Sequence, residues 1–148
     1  VNNASAISLT DTANTAMKRY DLMNDVNVRG TYLVSQKALP YLQNSEHAHI
    51  LNLSPPLDMR AKWFKKHVAD TIAKYGMSLC VLGMAEEFKE KSIAVNALWP
   101  ITAIDTAAVR NVIGDDEMAK QCRSPAIMAD AAVAILKRDP TLCTGNFF

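Results

Sequence analysis

Asp70 and Lys74 place a carboxyl and an amine one helical turn apart, in a stretch that is otherwise apolar. Residues four positions apart lie on the same face of an α-helix, so we expect the two side chains to meet. Such a pair can move protons for a bound substrate. It can equally be a simple ion pair, which contributes roughly 0.3–0.5 kcal/mol if exposed. The residues alone leave both interpretations open.

Further candidate residues follow the predicted strands. They are Asn2 and Asn3, then Ser54, and finally Pro100 and Thr102. The carboxyl ends of parallel strands meet at one edge of a sheet, where α/β proteins place their sites. The clusters therefore predict a shared site. The alternative is that Asn, Ser, Thr and Pro collect at strand ends because they form turns.

Two long helices are predicted to position these residues. The first covers residues 21–39 and carries Asn27 in its middle. Asn is a mediocre helix former, because its side chain often forms hydrogen bonds with backbone or water. The second covers residues 68–89 and is apolar nearly all round. Such a helix is expected to be buried, here between a sheet and a second helix or subunit. Gly76 and Gly83 share one face of it and would allow close approach of a neighbouring backbone.

Short apolar runs alternate with these helices. We predict strands at residues 49–54 and 92–99, a strand end at residues 1–5 and a final strand at residues 144–148. A loop over residues 57–66 is expected to be anchored by Trp63 and Phe64. Residues 102–111 should form a loop with a short helix, and Ser124 should cap a helix over residues 124–137. This alternation predicts one α/β domain, residues 1–148, with a parallel sheet covered on both faces.

Composition excludes several classes of function. The 148 residues carry a net charge of +1 without a basic run, so nothing indicates nucleic-acid binding. No apolar stretch is long enough to span a bilayer, and the start does not resemble a signal peptide. We therefore expect a soluble intracellular chain, and the first and last residues look cut from something longer. No metal site is expected, because the Cys and His residues lack ligand spacing: Cys80, Cys122, Cys143, His47, His49 and His67.

Five segments, in order, resemble the second half of a short-chain dehydrogenase/reductase. They match the family's Asn-Asn-Ala-Gly turn, its helix with the catalytic-site Asn, its strand ending in the active-site Ser, its Tyr-x-x-x-Lys segment and the strand before its Pro-Gly cofactor loop. In this chain the segments are Asn2-Asn3-Ala4-Ser5, Asn27-Val28-Arg29-Gly30-Thr31, Ile50-Leu51-Asn52-Leu53-Ser54, Asp70-Thr71-Ile72-Ala73-Lys74 and Val95-Asn96-Ala97-Leu98-Trp99-Pro100.

The resemblance implies a Rossmann-type sheet and an oxidoreductase that uses NADP or NAD. It implies catalytic roles for Asn27, Ser54 and Lys74. It also implies cofactor contacts from Asn2, Asn3, Lys74, Pro100 and Thr102. The expected substrate is an apolar alcohol or carbonyl such as a lipid. A branch linked to peroxisomes and mitochondria fits best, although this chain has no targeting signal.

Three departures from the family pattern bear on activity. Asp70 stands at the family's Tyr, and a carboxyl with an ordinary pKa of about 4 is ionised at neutral pH. Tyr75 does not replace it, because five residues further on it points about 140° around the helix. Ser54 is followed by Pro55 where the family usually has a second Ser. No two glycines lie close enough to form a phosphate-binding turn.

Two functions from different classes follow. One is a truncated, poorly active or inactive oxidoreductase that could contact nicotinamide and its ribose but not grip adenosine. The other is a non-catalytic module that forms a homodimer through residues 21–39 and 68–89, since the family's matching helices pair across a dimer interface. A fragment without an independent fold is a third, weaker interpretation.

Overall fold

The computed structural model of the protein describes residues 1–110 and 120–148. Strands β1 (Ala48–Asn52) and β2 (Ile93–Ala97) pair in parallel, with Ala48 opposite Ile93. Asn2 bridges to Asn52 on one side, and Phe147 bridges to Ala97 on the other. The sheet therefore continues at both edges as single bridges formed by the ends of the chain. This parallel arrangement confirms the predicted α/β class.

Helices cover the sheet on both faces. Helix α3 (Val68–Glu87) packs Val81, Met84 and Ala85 against β1 and β2. A later helix, α4 (Ala126–Leu136), packs Ile135 against Leu51 and Leu98 from the other side. Strand β2 is buried along its whole length, as expected of a parallel strand covered twice. The helix predicted over residues 124–137 is confirmed with these narrower bounds, and Ser124 Oγ accepts from the Ala126 N–H at 3.3 Å.

The first predicted helix is longer than residues 21–39. It begins with α1 (Met17–Met23), passes through a π-helical turn (Asn24–Arg29) and continues as α2 (Gly30–Leu42). Pro40 lies in the last turn of α2. Pro40 is exposed, so water can bond the carbonyl that the missing N–H leaves unpaired. The π-helical turn holds Asn27 in the buried interior.

Helix α3 packs on the sheet with one side and on α1 and the π-helical turn with another, as expected of a helix between a sheet and a second helix, but a third side faces solvent in this chain. Ile72, Leu79 and Leu82 are 42%, 57% and 54% exposed, because no element of the described chain packs on that side. Gly76 does allow a close approach, since an added Cβ would lie 2.5 Å from Val28 Cγ2. At Gly83 an added Cβ would meet nothing within 4 Å, so no element of the described chain approaches this position.

The loop between β1 and α3 includes a 3₁₀ turn at Ala61–Trp63. Phe64 anchors it by packing edge-on against the Tyr75 ring, with 5.0 Å between ring centroids. Trp63, the other expected anchor, holds the loop through hydrogen bonds of its indole N–H and its carbonyl, while its ring is 54% exposed. A second 3₁₀ turn at Lys89–Lys91 follows α3. Of the predicted segment 102–111, Asn111 lies outside the described residues.

No helix within the described ranges is long and apolar enough to cross a membrane. Within residues 1–110 and 120–148, the side chains also form no group of three or more potential metal ligands.

Candidate active site

Asn2 joins the chain's first residues to the end of β1. Its backbone N–H donates to the Leu51 carbonyl at 2.8 Å, and its carbonyl accepts from the Leu53 N–H at 3.0 Å. Its side-chain amide donates to Asn52 Oδ1 at 2.7 Å and to Ser35 Oγ at 3.1 Å. Both amide hydrogens of Asn2 are therefore used within the protein. Asn3, the next residue, is exposed at the same edge of the sheet.

Ser54 lies just beyond β1 and is completely buried. Its N–H donates to the Asn52 carbonyl at 3.1 Å, but its hydroxyl has no hydrogen-bond partner. A buried hydroxyl without a partner costs free energy, so such groups usually serve a ligand or a water. The following Pro55 carbonyl accepts from Ser78 Oγ of α3 at 2.6 Å, which fixes this strand end against the helix.

Lys74 points from α3 toward the end of β2. Its Nζ lies 5.6 Å from the centroid of the Trp99 ring and 4.0 Å from Met77 Sδ. Burial lowers the pKa of Lys74, and the negative charge of Asp70 opposes that shift. Sequence reasoning did not single out Trp99. The signal available was a large aromatic residue directly before Pro100, at a predicted strand end.

The predicted contact between Asp70 and Lys74 is not formed. The ion pairs of the described residues do not include this pair, although the two side chains are one helical turn apart. The reason is that the Lys74 chain extends along the apolar surface toward Trp99 instead of back toward Asp70. Lys74 Nζ therefore keeps its hydrogens free of any oxygen acceptor in the described part of the protein.

Asp70 sits between α3 and the loop that follows Asn3. Burial raises the pKa of Asp70 above its ordinary value, while the charge of Lys74, the backbone N–H of Ser8 and the charge of His67 oppose that shift. Its Oδ1 is buried without a partner. Sequence reasoning treated this carboxyl as an ordinary acid stabilised by Lys74. In the fold, burial outweighs that stabilisation.

Replacing Asp70 by Asn should stabilise the protein at neutral pH. The native pKa of Asp70 is raised, so the native state binds this proton more tightly than the unfolded chain and loses stability when the carboxyl ionises. The uncharged amide avoids that loss. The gain in free energy of unfolding should shrink as the pH falls and vanish below the ordinary pKa of Asp. Urea unfolding at several pH values measures it, and a gain independent of pH would contradict the assignment.

Asn27 holds the loop after Asn3 against the π-helical turn. Its Nδ2 donates to the Ala6 carbonyl and its Oδ1 accepts from the Ala6 N–H, both at 2.9 Å. Its side chain is fully buried, and its polar atoms are used by these two bonds. Within the described structure Asn27 therefore positions backbone near the site.

Pro100 and Thr102 follow β2 on the same edge of the sheet. Pro100 is partly buried, whereas Ile101 is fully open to solvent and Thr102 is exposed. The end of β2 is held by the Trp99 N–H, which donates to the Phe148 carbonyl at 2.9 Å. Asn3, Ser54 and Thr102 thus follow the bridge or strands at the carboxyl edge of the sheet, and Lys74 lies near Trp99 just beyond the end of β2. The fold leaves Asp70 and Asn27 within the layer of helix and loop beside them.

This arrangement matches a known family along most of the chain. The family model described as Enoyl-(Acyl carrier protein) reductase, of the short-chain type, matches residues 1–136. The chain belongs to the short-chain dehydrogenase/reductase family. A short-chain dehydrogenase from Mycobacterium thermoresistibile is 46% identical to this chain, with a TM-score of 0.88. The match covers 98% of this chain and 51% of the Mycobacterium protein. A Xanthomonas campestris protein described as a dehydrogenase is 48% identical, with a TM-score of 0.93. That match covers 99% of this chain and 53% of the Xanthomonas protein.

Curated relatives of this family member carry a more specific name. Hydroxysteroid dehydrogenase-like protein 2 from Danio rerio is 63% identical over 147 residues, and the protein of the same name from Homo sapiens is 60% identical over the same length. The match covers 99% of this chain but only 35% and 34% of those relatives. The chain therefore spans about a third of the length of the curated relatives it matches, and about half of the similar solved structures.

Two more distant structures share the fold and were solved with cofactors. The angucycline C-6 ketoreductase LanV, with bound NADP, has a TM-score of 0.80 at 22% identity and is covered over 58% of its length. A 4-hydroxyisoleucine dehydrogenase complexed with NADH has a TM-score of 0.76 at 18% identity and is covered over 64% of its length. Nicotinamide cofactors are thus found among proteins of this fold.

Proposed function

We propose that this chain forms the nicotinamide side of a short-chain oxidoreductase site for an apolar alcohol or carbonyl such as a lipid, with impaired proton transfer. The observation that carries the proposal is Asp70, which stands where the family places its Tyr. By the same resemblance we propose a peroxisomal or mitochondrial location, which imaging of the tagged protein would test.

The residues present suit one end of NADP or NAD. The Ser54 hydroxyl is buried without a partner, and Lys74 Nζ has hydrogens without an oxygen acceptor in the described structure. Lys74 would hold the ribose beside nicotinamide, and Ser54 would orient the substrate oxygen. Asn3, Pro100 and Thr102 border the same edge of the sheet. Asn2 could offer a cofactor only its Oδ1 as an acceptor, because both of its amide hydrogens are used within the protein. Bound nicotinamide supplies the hydride. The isolated glycines offer no turn for the pyrophosphate.

Proton transfer is where this chain differs. A general acid must hold its proton at the working pH and reach the oxygen that receives it. A carboxyl on one methylene stays much closer to its helix than a Tyr hydroxyl, and Asp70 Oδ1 is buried beside the loop that contains Ser8. The raised pKa helps Asp70 to retain a proton but does not extend its reach. We therefore expect the substrate oxygen to lack an acid.

Fluorescence titration with NADH and NADPH, followed by turnover assays with apolar ketones, tests the proposal. We expect weaker than micromolar binding and no turnover by the purified chain. We expect the Asp70→Tyr variant to remain inactive, because no pyrophosphate-binding turn is added. The matched variant Lys74→Met should abolish whatever nicotinamide binding is measured. Ketone reduction that disappears in Asp70→Asn would overturn the proposal, since it would make this carboxyl the working acid.

A non-catalytic homodimer is the second candidate. The outer face of α3 exposes Leu79 and Leu82 next to Gly83, which has open space around it. Helix α2 likewise exposes Leu33 and Val34. Exposed apolar side chains on two helices are typical of an interface. Size-exclusion chromatography with light scattering tests this function, and a monomer at high protein concentration would exclude it.

A further inference from the structure

A short segment beside the candidate site combines positive charge with exposed apolar side chains. Residues 59–66, here called the basic-aromatic segment, read Met-Arg-Ala-Lys-Trp-Phe-Lys-Lys. Met59 is 75% exposed and Trp63 is 54% exposed, and all four cationic residues of the segment face solvent. Sequence reasoning treated this stretch only as a loop with two aromatic anchors.

Hydrogen bonds from α3 hold the segment at Asp58, just before it, and at Trp63, in its middle. Tyr75 of α3 donates its hydroxyl to the Asp58 carbonyl at 2.7 Å and accepts from the Asp58 N–H at 3.3 Å. The Asp58 carboxylate binds the Arg60 guanidinium and accepts from the Trp63 indole N–H. Thr71 Oγ1 donates to the Trp63 carbonyl at 3.2 Å. These hydrogen bonds hold the loop in a shape that leaves the Trp63 ring exposed to solvent.

The charges of the segment are unevenly compensated. Arg60 is paired with Asp58, and Lys62 Nζ lies over the Trp63 ring at 4.6 Å from its centroid. The ion pairs found among the described residues include none for Lys62, Lys65 or Lys66. The segment thus carries three lysines without an ion-pair partner in the described structure, together with an exposed indole and an exposed thioether. This composition is typical of surfaces that meet a membrane, where indole lies at headgroup level and lysines contact anionic lipid.

We propose that the basic-aromatic segment docks on an anionic phospholipid surface, with Met59 and Trp63 entering the interface and Lys62, Lys65 and Lys66 contacting lipid phosphates. Charge complementarity and apolar exposure occur together in this segment, which favours lipid over nucleic acid. A nucleic-acid surface would leave the exposure of Met59 without a role. Lipid binding of this kind needs no spanning helix, because the contact is interfacial.

The basic-aromatic segment lies beside the candidate active site. Thr71, which binds the Trp63 carbonyl, and Lys74, which lies near Trp99, are three residues apart and share a face of α3. The docking surface therefore lies next to the candidate active site. This proposal does not depend on the proposed oxidoreductase function, since docking requires neither cofactor nor turnover.

Co-sedimentation of the full chain with vesicles tests the proposal. Vesicles of phosphatidylcholine alone are compared with vesicles that also contain phosphatidylserine, and binding is expected only to the second kind. Each lysine near an anionic surface contributes about fivefold in partitioning, so Lys65→Gln with Lys66→Gln should weaken binding by about 25-fold. The matched control is Lys89→Gln with Lys91→Gln, which removes the same charge at the other end of α3 and should change binding less than about twofold.

Tryptophan fluorescence supplies a second readout. Binding should shift the Trp63 emission to shorter wavelength, and the shift should persist in Trp99→Phe but disappear in Trp63→Phe. Circular dichroism confirms that the variants fold. Equal loss in both lysine pairs, or binding independent of phosphatidylserine, would overturn the proposal. Two competitors are also compared, a single-stranded oligonucleotide and soluble phosphoserine headgroup. If the oligonucleotide displaces the chain from vesicles at the lower concentration, the proposal is overturned in favour of a nucleic-acid surface.

Discussion

Replacing Asn27 by Leu is expected to lower the free energy of unfolding by about 2–4 kcal/mol, since two backbone groups would lose their partners. Asn27 is fully buried, and its amide forms a closed pair of 2.9 Å bonds with the N–H and carbonyl of Ala6. Leucine has nearly the same size but neither donor nor acceptor. The Ala6 backbone is partly buried, so water restores only part of what is lost. Urea unfolding followed by circular dichroism measures the change.

Asn24→Leu is the matched control in the same π-helical turn. Its side chain makes one bond, from Nδ2 to the Tyr20 carbonyl at 2.9 Å, and it is only half-buried. Its loss should cost no more than about 1 kcal/mol, the usual net value of one hydrogen bond. If Asn24→Leu and Asn27→Leu destabilise the protein equally, the Ala6 bonds do not hold the loop after Asn3 in place.

The sheet is the part of the fold that sequence reasoning predicts best. Strands β1 and β2 are buried along nearly their whole length, so their side chains form largely apolar runs, interrupted by His49, Asn52 and Asn96, that a single sequence displays directly. Prolines just beyond each run mark where the pairing must stop. The edges are harder to predict, because Asn2 and Phe147 join the sheet through one bridge each. So short a contact leaves no periodic pattern.

The boundaries of the helices and their exposed faces could be determined only from the structure. The π-helical turn adds a residue to one turn, which shifts the apolar positions that follow and hides the continuity from Met17 to Leu42. The composition of α3 indicates burial on every side, yet Leu79 and Leu82 face outward. Apolar content shows that a surface favours being covered. It does not show whether the same chain supplies the cover.

Side-chain partners at the site were the least predictable feature. Spacing places Asp70 and Lys74 on one face, but it does not determine that the Lys74 chain extends toward Trp99, a residue distant in sequence. The raised pKa of Asp70 likewise depends on burial by the loop that contains Ser8. The resemblance to the family identified the positions that matter, while the local environments came from tertiary packing.

Gly76→Ala is expected to lower the free energy of unfolding by about 1–2 kcal/mol, although alanine favours helix by about 1 kcal/mol over glycine. An added Cβ would lie 2.5 Å from Val28 Cγ2, 3.0 Å from Cγ1 and 3.3 Å from Cβ. Rotating the Val28 side chain cannot remove the whole contact, because its Cβ is itself only 3.3 Å away and a β-branched residue has few favourable rotamers in a helix. The clash must instead be relieved by moving α3 away from the π-helical turn, which disturbs the packing of Ala69 and Ala73 nearby.

Gly83→Ala on the same helix is the matched control, since its added Cβ meets nothing within 4 Å. It should raise stability by about 0.5–1 kcal/mol through helix propensity alone. Both variants are measured by urea unfolding at a concentration where light scattering gives the monomer. The double variant Val28→Ala with Gly76→Ala should be more stable than the sum of the single losses by about 1 kcal/mol or more, because residues in direct contact couple. Strict additivity would show that Val28 is not what Gly76 accommodates, and the cost of Gly76→Ala would then arise elsewhere in α3.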